Sequence, residues 1–198
     1  VYNLIKNCIN SKAKMDKIIT EIIIPTIPHI QKLFDDGKIG KSEEQLMTGI
    51  ISNSLQMITY HSGHSDSGKN VIILSADSES ILSSESAAAA FRSQNWNVFS
   101  IGDISSSIDV LFDLELRKLL SKTWKSKKGV MIVLVFSQTE EGLKFISDSF
   151  YSVKEKSENN LFIVLSGKTG KKVKIKGDLS ASKLEDILQW SNTKYENS

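Results

Sequence analysis

The chain has 198 residues, 40% of them apolar and 24% charged, which is ordinary globular composition for one large domain or two small ones. A formal net charge of +2 gives the whole chain no strong preference for a polyanion, and its longest apolar runs, such as VMIVLVF at 130–136, are far too short to span a membrane. One cysteine, Cys8, excludes an internal disulfide; it fits a reducing, cytoplasmic setting, and no secretory leader pattern opens the chain.

The first sixty residues read as a helical bundle. Ile18, Ile19, Ile22, Ile23, Ile27, Ile30, Leu33 and Phe34 recur near helical spacing. Pro25 and Pro28 interrupt this run, and Pro28 is expected to kink a helix or to open a new one, because it has no N–H and crowds the preceding turn. Asp36-Gly37 is a stop signal. Ser42 and Gln45 have capping-box spacing at the head of a helix continuing through Leu46, Ile50, Ile51, Leu55 and Ile58. About four helices are expected over 1–60. The stretch HSGHSDSGK at 61–69 is polar, glycine-containing and without period, and it reads as the linker between two domains.

From residue 70 the period changes. Continuous apolar runs at 71–75, 97–101, 130–136 and 161–165, with a weaker one at 173–176, alternate with helical segments at about 80–94, 107–124, 139–155 and 180–190. This alternation predicts an α/β domain over 70–198 with a five-stranded parallel sheet, buried on both faces, in the flavodoxin-like order 2-1-3-4-5. A ligand crevice is then expected at the strand C-terminal ends, lined by loops 75–83, 101–106, 136–141 and 166–171.

A helical bundle followed by such a domain resembles the cobalamin-binding module of methionine synthase, of the corrinoid proteins in methyltransferase systems, and of light-responsive MerR-family regulators of the CarH/LitR kind. Within the bundle, IIPTIPHIQKLFDDGKIGKSEEQLMTGIISNSL at 23–55 is similar to the regulator branch. The regulator signature is a Trp, nine residues, then Glu-His. Here Phe34 takes the Trp position, nine residues follow, and Glu44-Gln45 take the Glu-His position. After the first strand the family carries Asp/Glu-x-His-x-x-Gly, whose His coordinates cobalt. Alignment on Asn95-Trp96-Asn97-Val98, which matches the family's Gly-Trp-x-Val, brings Glu79 and Ser80 to this motif, with Ser80 at the His position and Ser83 at the Gly position. Serine does not replace imidazole as a soft nitrogen donor to cobalt, and Ser83 adds a side chain where the family keeps glycine. Ser137 and Thr139 resemble the hydroxyl motif that contacts the cofactor's nucleotide tail, and Ser166-Gly167 resembles the Gly-Gly after the fourth strand. A blander account of Ser80 and Ser83 is that they cap the helix that follows.

The resemblance implies the sensor and oligomerisation region of a MerR-family transcriptional regulator, a dimer or tetramer that meets DNA through an N-terminal domain outside this chain, which starts at Val1. With Phe34, Gln45 and Ser80 in place, the expectation is that cobalamin binding is lost, that no resident cofactor or metal is held, and that an unknown small molecule takes the cleft. Phe34 is expected to fill part of the adenosyl space. Adenosylcobalamin, haem on His29, or a methyl-carrier role are the alternatives. No catalytic set is apparent: Cys8 has no paired base, and His61 and His64 are two ligands without a third. The basic runs 117–128 and Lys171, Lys172, Lys174 and Lys176 read as solvated charge or helix-end cations, with phosphate or DNA contact as the sharper option. SGKTGKK at 166–172 lacks the spacing and the strand position of a phosphate loop.

Overall fold

Residues 71–74 alternate strictly between two cores: Val71 and Ile73 face one side of a sheet, Ile72 and Leu74 the other. This period of two is what a strand covered on both faces requires. The computed structural model describes residues 2–11, 13–60, 65–105, 118, 129–154, 160–167 and 175–197. Its strands are β1 (Asp66–Ser75), β2 (Trp96–Asp103), β3 (Val130–Ser137), β4 (Leu161–Gly167) and β5 (Leu179–Ser180). They form one all-parallel sheet in the order β2-β1-β3-β4-β5, the expected 2-1-3-4-5.

The described helices are α1 (Tyr2–Asn10), α2 (Met15–Ile18), α3 (Ile24–Asp35), α4 (Lys41–Tyr60), α5 (Ile81–Ser93), α6 (Glu140–Lys154) and α7 (Leu184–Glu196). On one face of the sheet, α5 and α7 share a core with the N-terminal bundle. On the other, α6 presents Leu143, Ile146 and Phe150 at helical spacing to Ile72, Val133 and Ile163. The run Ala87–Ala90 is fully buried. Side chains this small let α5 pass close between the sheet and the bundle.

Pro28 does not open a new helix. α2 and α3 are joined by a π-helical turn at Ile19–Ile23, where the Ile24 N–H donates to the Ile19 carbonyl. Pro25 opens α3 and Pro28 sits inside it. Helical backbone thus runs without a break from Met15 to Asp35, with Pro25 in the first turn of α3, where its missing N–H is tolerated.

Three boundaries also differ. β1 begins at Asp66, inside the stretch expected as linker: Asp66 pairs with Trp96 and Lys69 with Val130, and the Asp66 N–H donates to the Asn95 carbonyl. Polar, glycine-bearing residues are tolerated here because the β1–β2 register shifts between Asp66 and Asn70. A strand lies at Leu179–Ser180; of the expected 173–176, residues 173 and 174 lie outside the described residues, and 175–176 are not in a strand. The Asp178 carboxylate holds the Ile163 N–H at 2.7 Å and also binds Lys154, which fixes the start of this strand against β4. The last helix accordingly covers Leu184–Glu196 instead of 180–190. The expected helix at 107–124, with the basic run 117–128 apart from the exposed Lys118, lies outside the described residues, as do His61, His64, Lys171, Lys172 and Lys174.

Asn95 shows why the Trp96 segment is recognisable. Its φ is +66°, a left-handed conformation in which asparagine is tolerated where glycine is usual. It turns the chain from α5 into β2 and buries Trp96, which packs edge-on to Phe91 at 5.2 Å and donates its indole N–H to Asn192 at 3.1 Å. No helix among the described residues is long and apolar enough to cross a membrane.

Candidate functional site

The strand ends meet at Asp77, two residues beyond β1. Its carboxylate accepts from the Ser80 N–H at 2.9 Å, the Ser137 hydroxyl at 2.7 Å and the Gln138 N–H at 2.6 Å. Partial burial pushes the Asp77 pKa up, but hydrogen bonds from Ser137, Ser80 and Gln138 outweigh this and hold it below the usual carboxylate value. One side chain thus ties the β1 loop to the β3 loop and caps the short turn Ser78–Ser80 that leads into α5. Asp77 was not among the residues expected to matter. The available signal was a lone aspartate after a strand, three residues before the head of a helix.

Because Asp77 provides the cap, Ser80 does not. Its hydroxyl is 1% exposed and makes no hydrogen bond of normal geometry, although it lies near enough to Asp77 to favour that group's charged form. No side-chain cap is made at Ser80, so helix capping does not account for this serine. Ser80 instead lines a cleft of about 230 Å³, formed with Ser83 of α5, Phe136 of β3, Gln138 just after β3, Ser166 and Gly167 of β4, Ser182 before α7, Leu184 at the head of α7, and Ile24 from the bundle. Gly167 is required there: a Cβ on it would collide with the Ser137 carbonyl across the β3–β4 ladder.

Ser80, Ser83, Ser166 and Gly167 are therefore brought together. Ser137 and Thr139 lie beneath and beside the cleft. Ser137 is buried and bound to Asp77, and the Thr139 hydroxyl accepts the Gly142 N–H at 3.2 Å in the first turn of α6. Their hydroxyls are spent on the loop itself. Glu79 is exposed to solvent.

The bundle residues are elsewhere. Phe34 is half-buried with the Lys41 ammonium 5.1 Å over its ring, and Lys41 pairs with Glu44 at 2.7 Å, while Gln45 is exposed. This cluster fixes the α3–α4 turn and does not line the cleft, so Phe34 does not fill ligand space there. The expected Ser42–Gln45 capping box is replaced by Glu43, whose carboxylate accepts the Gly40 N–H at 2.8 Å. The helix starts one residue earlier than Ser42, which puts Glu43 at the position that reaches back. His29 is exposed on α3 and is not a cleft residue.

No protein-family model and no curated protein matches the chain. Among solved structures it is similar to the monomethylamine corrinoid protein of Methanosarcina barkeri, with a TM-score of 0.70 at 13% identity, over 100% of this chain and 90% of that one. It is also similar to a cobalamin-binding protein from Desulfitobacterium hafniense, with a TM-score of 0.50 at 14% identity, over 97% and 89%. The fold is of the cobalamin-binding type. Within this cobalamin-type fold the cleft sits at the C-terminal ends of parallel strands, where open α/β sheets place ligands. Among the described residues its polar lining consists of the hydroxyls of Ser80, Ser83, Ser166 and Ser182 and the amide of Gln138, with no imidazole, thiolate or carboxylate side chain.

Proposed function

We propose that this chain is a ligand-sensing and assembly module, the region following the DNA-binding domain of a MerR-type transcriptional regulator, whose cobalamin-type fold has given up its corrinoid. The observation that carries this reading is Ser80. It stands where the resemblance calls for a cobalt-ligating histidine, in a cleft lined by hydroxyls and one amide. Hydroxyls are poor donors to cobalt beside imidazole. The cleft volume of about 230 Å³ falls below the roughly 300–1,000 Å³ of drug-sized sites, and a corrin with its nucleotide tail is larger than such ligands. The residues present do not fit an imidazole-ligated corrinoid, and no step is assigned to one.

What the cleft suits is a small neutral or hydroxylated molecule. The buried Ser80 hydroxyl offers such a ligand a donor and an acceptor. The role is binding, with no catalytic residue. Homo-oligomerisation as a dimer or tetramer and a DNA partner belong to the same reading.

The test is to incubate the chain with adenosylcobalamin in the dark, gel-filter it, and record the visible spectrum. Protein free of corrinoid is expected. A stoichiometric corrinoid band would overturn the reading and favour the second one, a corrinoid carrier for methyl transfer. That alternative is supported by the likeness in fold to the monomethylamine corrinoid protein along the whole chain. Haem sensing is less favoured, since His29 is exposed away from the cleft; a Soret band on haemin addition is its readout.

A further inference from the structure

Helix α5 carries only two charged residues, Glu85 and Arg92, seven positions apart. That spacing places them on one stripe of the helix, about 10 Å apart along its axis. Ser83, which faces the strand-end cleft, is two residues from Glu85 and so on roughly the opposite side. Glu85 and Arg92 both line a second cleft, of about 340 Å³, where α5, α4 and strand β2 meet. Leu55 and Ala88 form its apolar wall, and Ser52, Gln56, Thr59 and Ser100 supply neutral polar groups.

Among the described residues both charges are incompletely answered. One carboxylate oxygen of Glu85 is buried without a hydrogen-bond partner. Arg92 makes no side-chain hydrogen bond or ion pair with any described residue, and its guanidinium is half-buried, which alone pulls its pKa below the ordinary arginine value. An unpaired buried carboxylate oxygen and an unpaired, partly desolvated guanidinium each cost stability. The natural neutralisation, an ion pair between them, is not made across the two helical turns. A ligand carrying a donor cation at one end and an acceptor anion at the other satisfies both groups at once.

We propose that the α4–α5 cleft binds a small zwitterion of amino-acid size, its ammonium on Glu85 and its carboxylate on Arg92. The carboxylate and the guanidinium fork meet in bidentate geometry, and the side chain lies against Leu55 and Ala88. This inference is independent of what occupies the strand-end cleft. A ligand here bears on the contact between α4 and α5, which joins the bundle to the sheet domain.

The experiment is calorimetric titration of the intact chain with each of the twenty common L-amino acids, then with propylamine and with propionate. At least one amino acid is expected to bind, and the amine and the acid alone to bind at least tenfold more weakly. Glu85→Gln and Arg92→Gln should each weaken that binding roughly ten- to hundredfold, the value of a hydrogen bond to a charged group. Ligand-free Glu85→Gln should also melt no lower than the parent, since it removes an unpaired carboxylate. Failure of every amino acid to bind at millimolar concentration, equal binding of propionate, unchanged affinity in both variants, or a destabilised Glu85→Gln protein would each overturn the proposal.

Discussion

Replacing Asp77 with Asn tests whether one carboxylate holds the strand-end loops together. The two oxygens of Asp77 serve two backbone N–H groups, of Ser80 and Gln138, and the Ser137 hydroxyl. Asparagine has one oxygen. Whichever way its amide turns, an NH₂ group confronts one of the two backbone donors. The Ser137 hydroxyl can swing to the Thr139 carbonyl, 3.0 Å away, so its loss is small. The cost is then one unsatisfied N–H, about 1–3 kcal/mol, plus the charge assistance on the remaining bond. Discounted for the partial exposure of Asp77, the total is about 2–4 kcal/mol. For a chain of this length that is a fall in melting temperature of about 4–16 °C. The assay is urea denaturation followed by circular dichroism, with exposed Glu79→Gln as the control, expected within about 0.5 kcal/mol of the parent. The pH dependence gives a second reading. The folded pKa of Asp77 lies below its ordinary value, so its stabilisation is complete above the unfolded carboxylate range near pH ~4 and is lost as pH falls through the depressed folded value. The gap between parent and Asp77→Asn should therefore close in acid. A variant as stable as the Glu79 control at neutral pH, or a gap that widens in acid, would refute the reasoning.

Further outcomes follow from the same structure. Gly167→Ala should lose about 1–3 kcal/mol in chemical denaturation, because its Cβ meets the Ser137 carbonyl, and backbone cannot rotate away. An undiminished midpoint would show that the β3–β4 approach is looser than described. The Tyr195 phenol donates to Asp66 at 2.9 Å, and this bond and the Asp66 charge raise its pKa above the ordinary tyrosine value. Burial and the Asp178 charge raise the Tyr151 phenol as well, so tyrosinate absorbance in an alkaline titration should show two late-ionising phenols, of which Asp66→Asn should return only Tyr195 toward the ordinary value.

The strand segments illustrate what sequence patterning carries. VIIL and VMIVLV are apolar without break because both faces are covered, and their alternation with helical segments implied a parallel sheet. Asn95-Trp96 carried the turn into β2 for a local reason, a left-handed residue followed by a large core side chain. The cleft was legible only in part. Ser80, Ser83, Ser166 and Gly167 were placed by resemblance to the cobalamin-module motifs, and the strand-end rule gave only the loops that carry them. Phe34, Glu44 and Gln45 were assigned by their spacing along the chain, and spacing does not say which way a helix end faces. In the fold Phe34 and Glu44 meet Lys41, and Gln45 is exposed to solvent.

The sequence by itself determined the parallel sheet and its order, since these depend on periods of two and 3.6 residues and on the handedness of connections. Tertiary structure alone decided the rest. It chose Asp77 over Ser80 as the cap, drew Asp66–Lys69 into β1, and fixed the start of β5 where Asp178 meets Ile163. It also placed Glu85 and Arg92 in a shared cleft without pairing them. Each of these depends on which donor lies within about 3 Å of which acceptor, and residues sixty positions apart have no period in common.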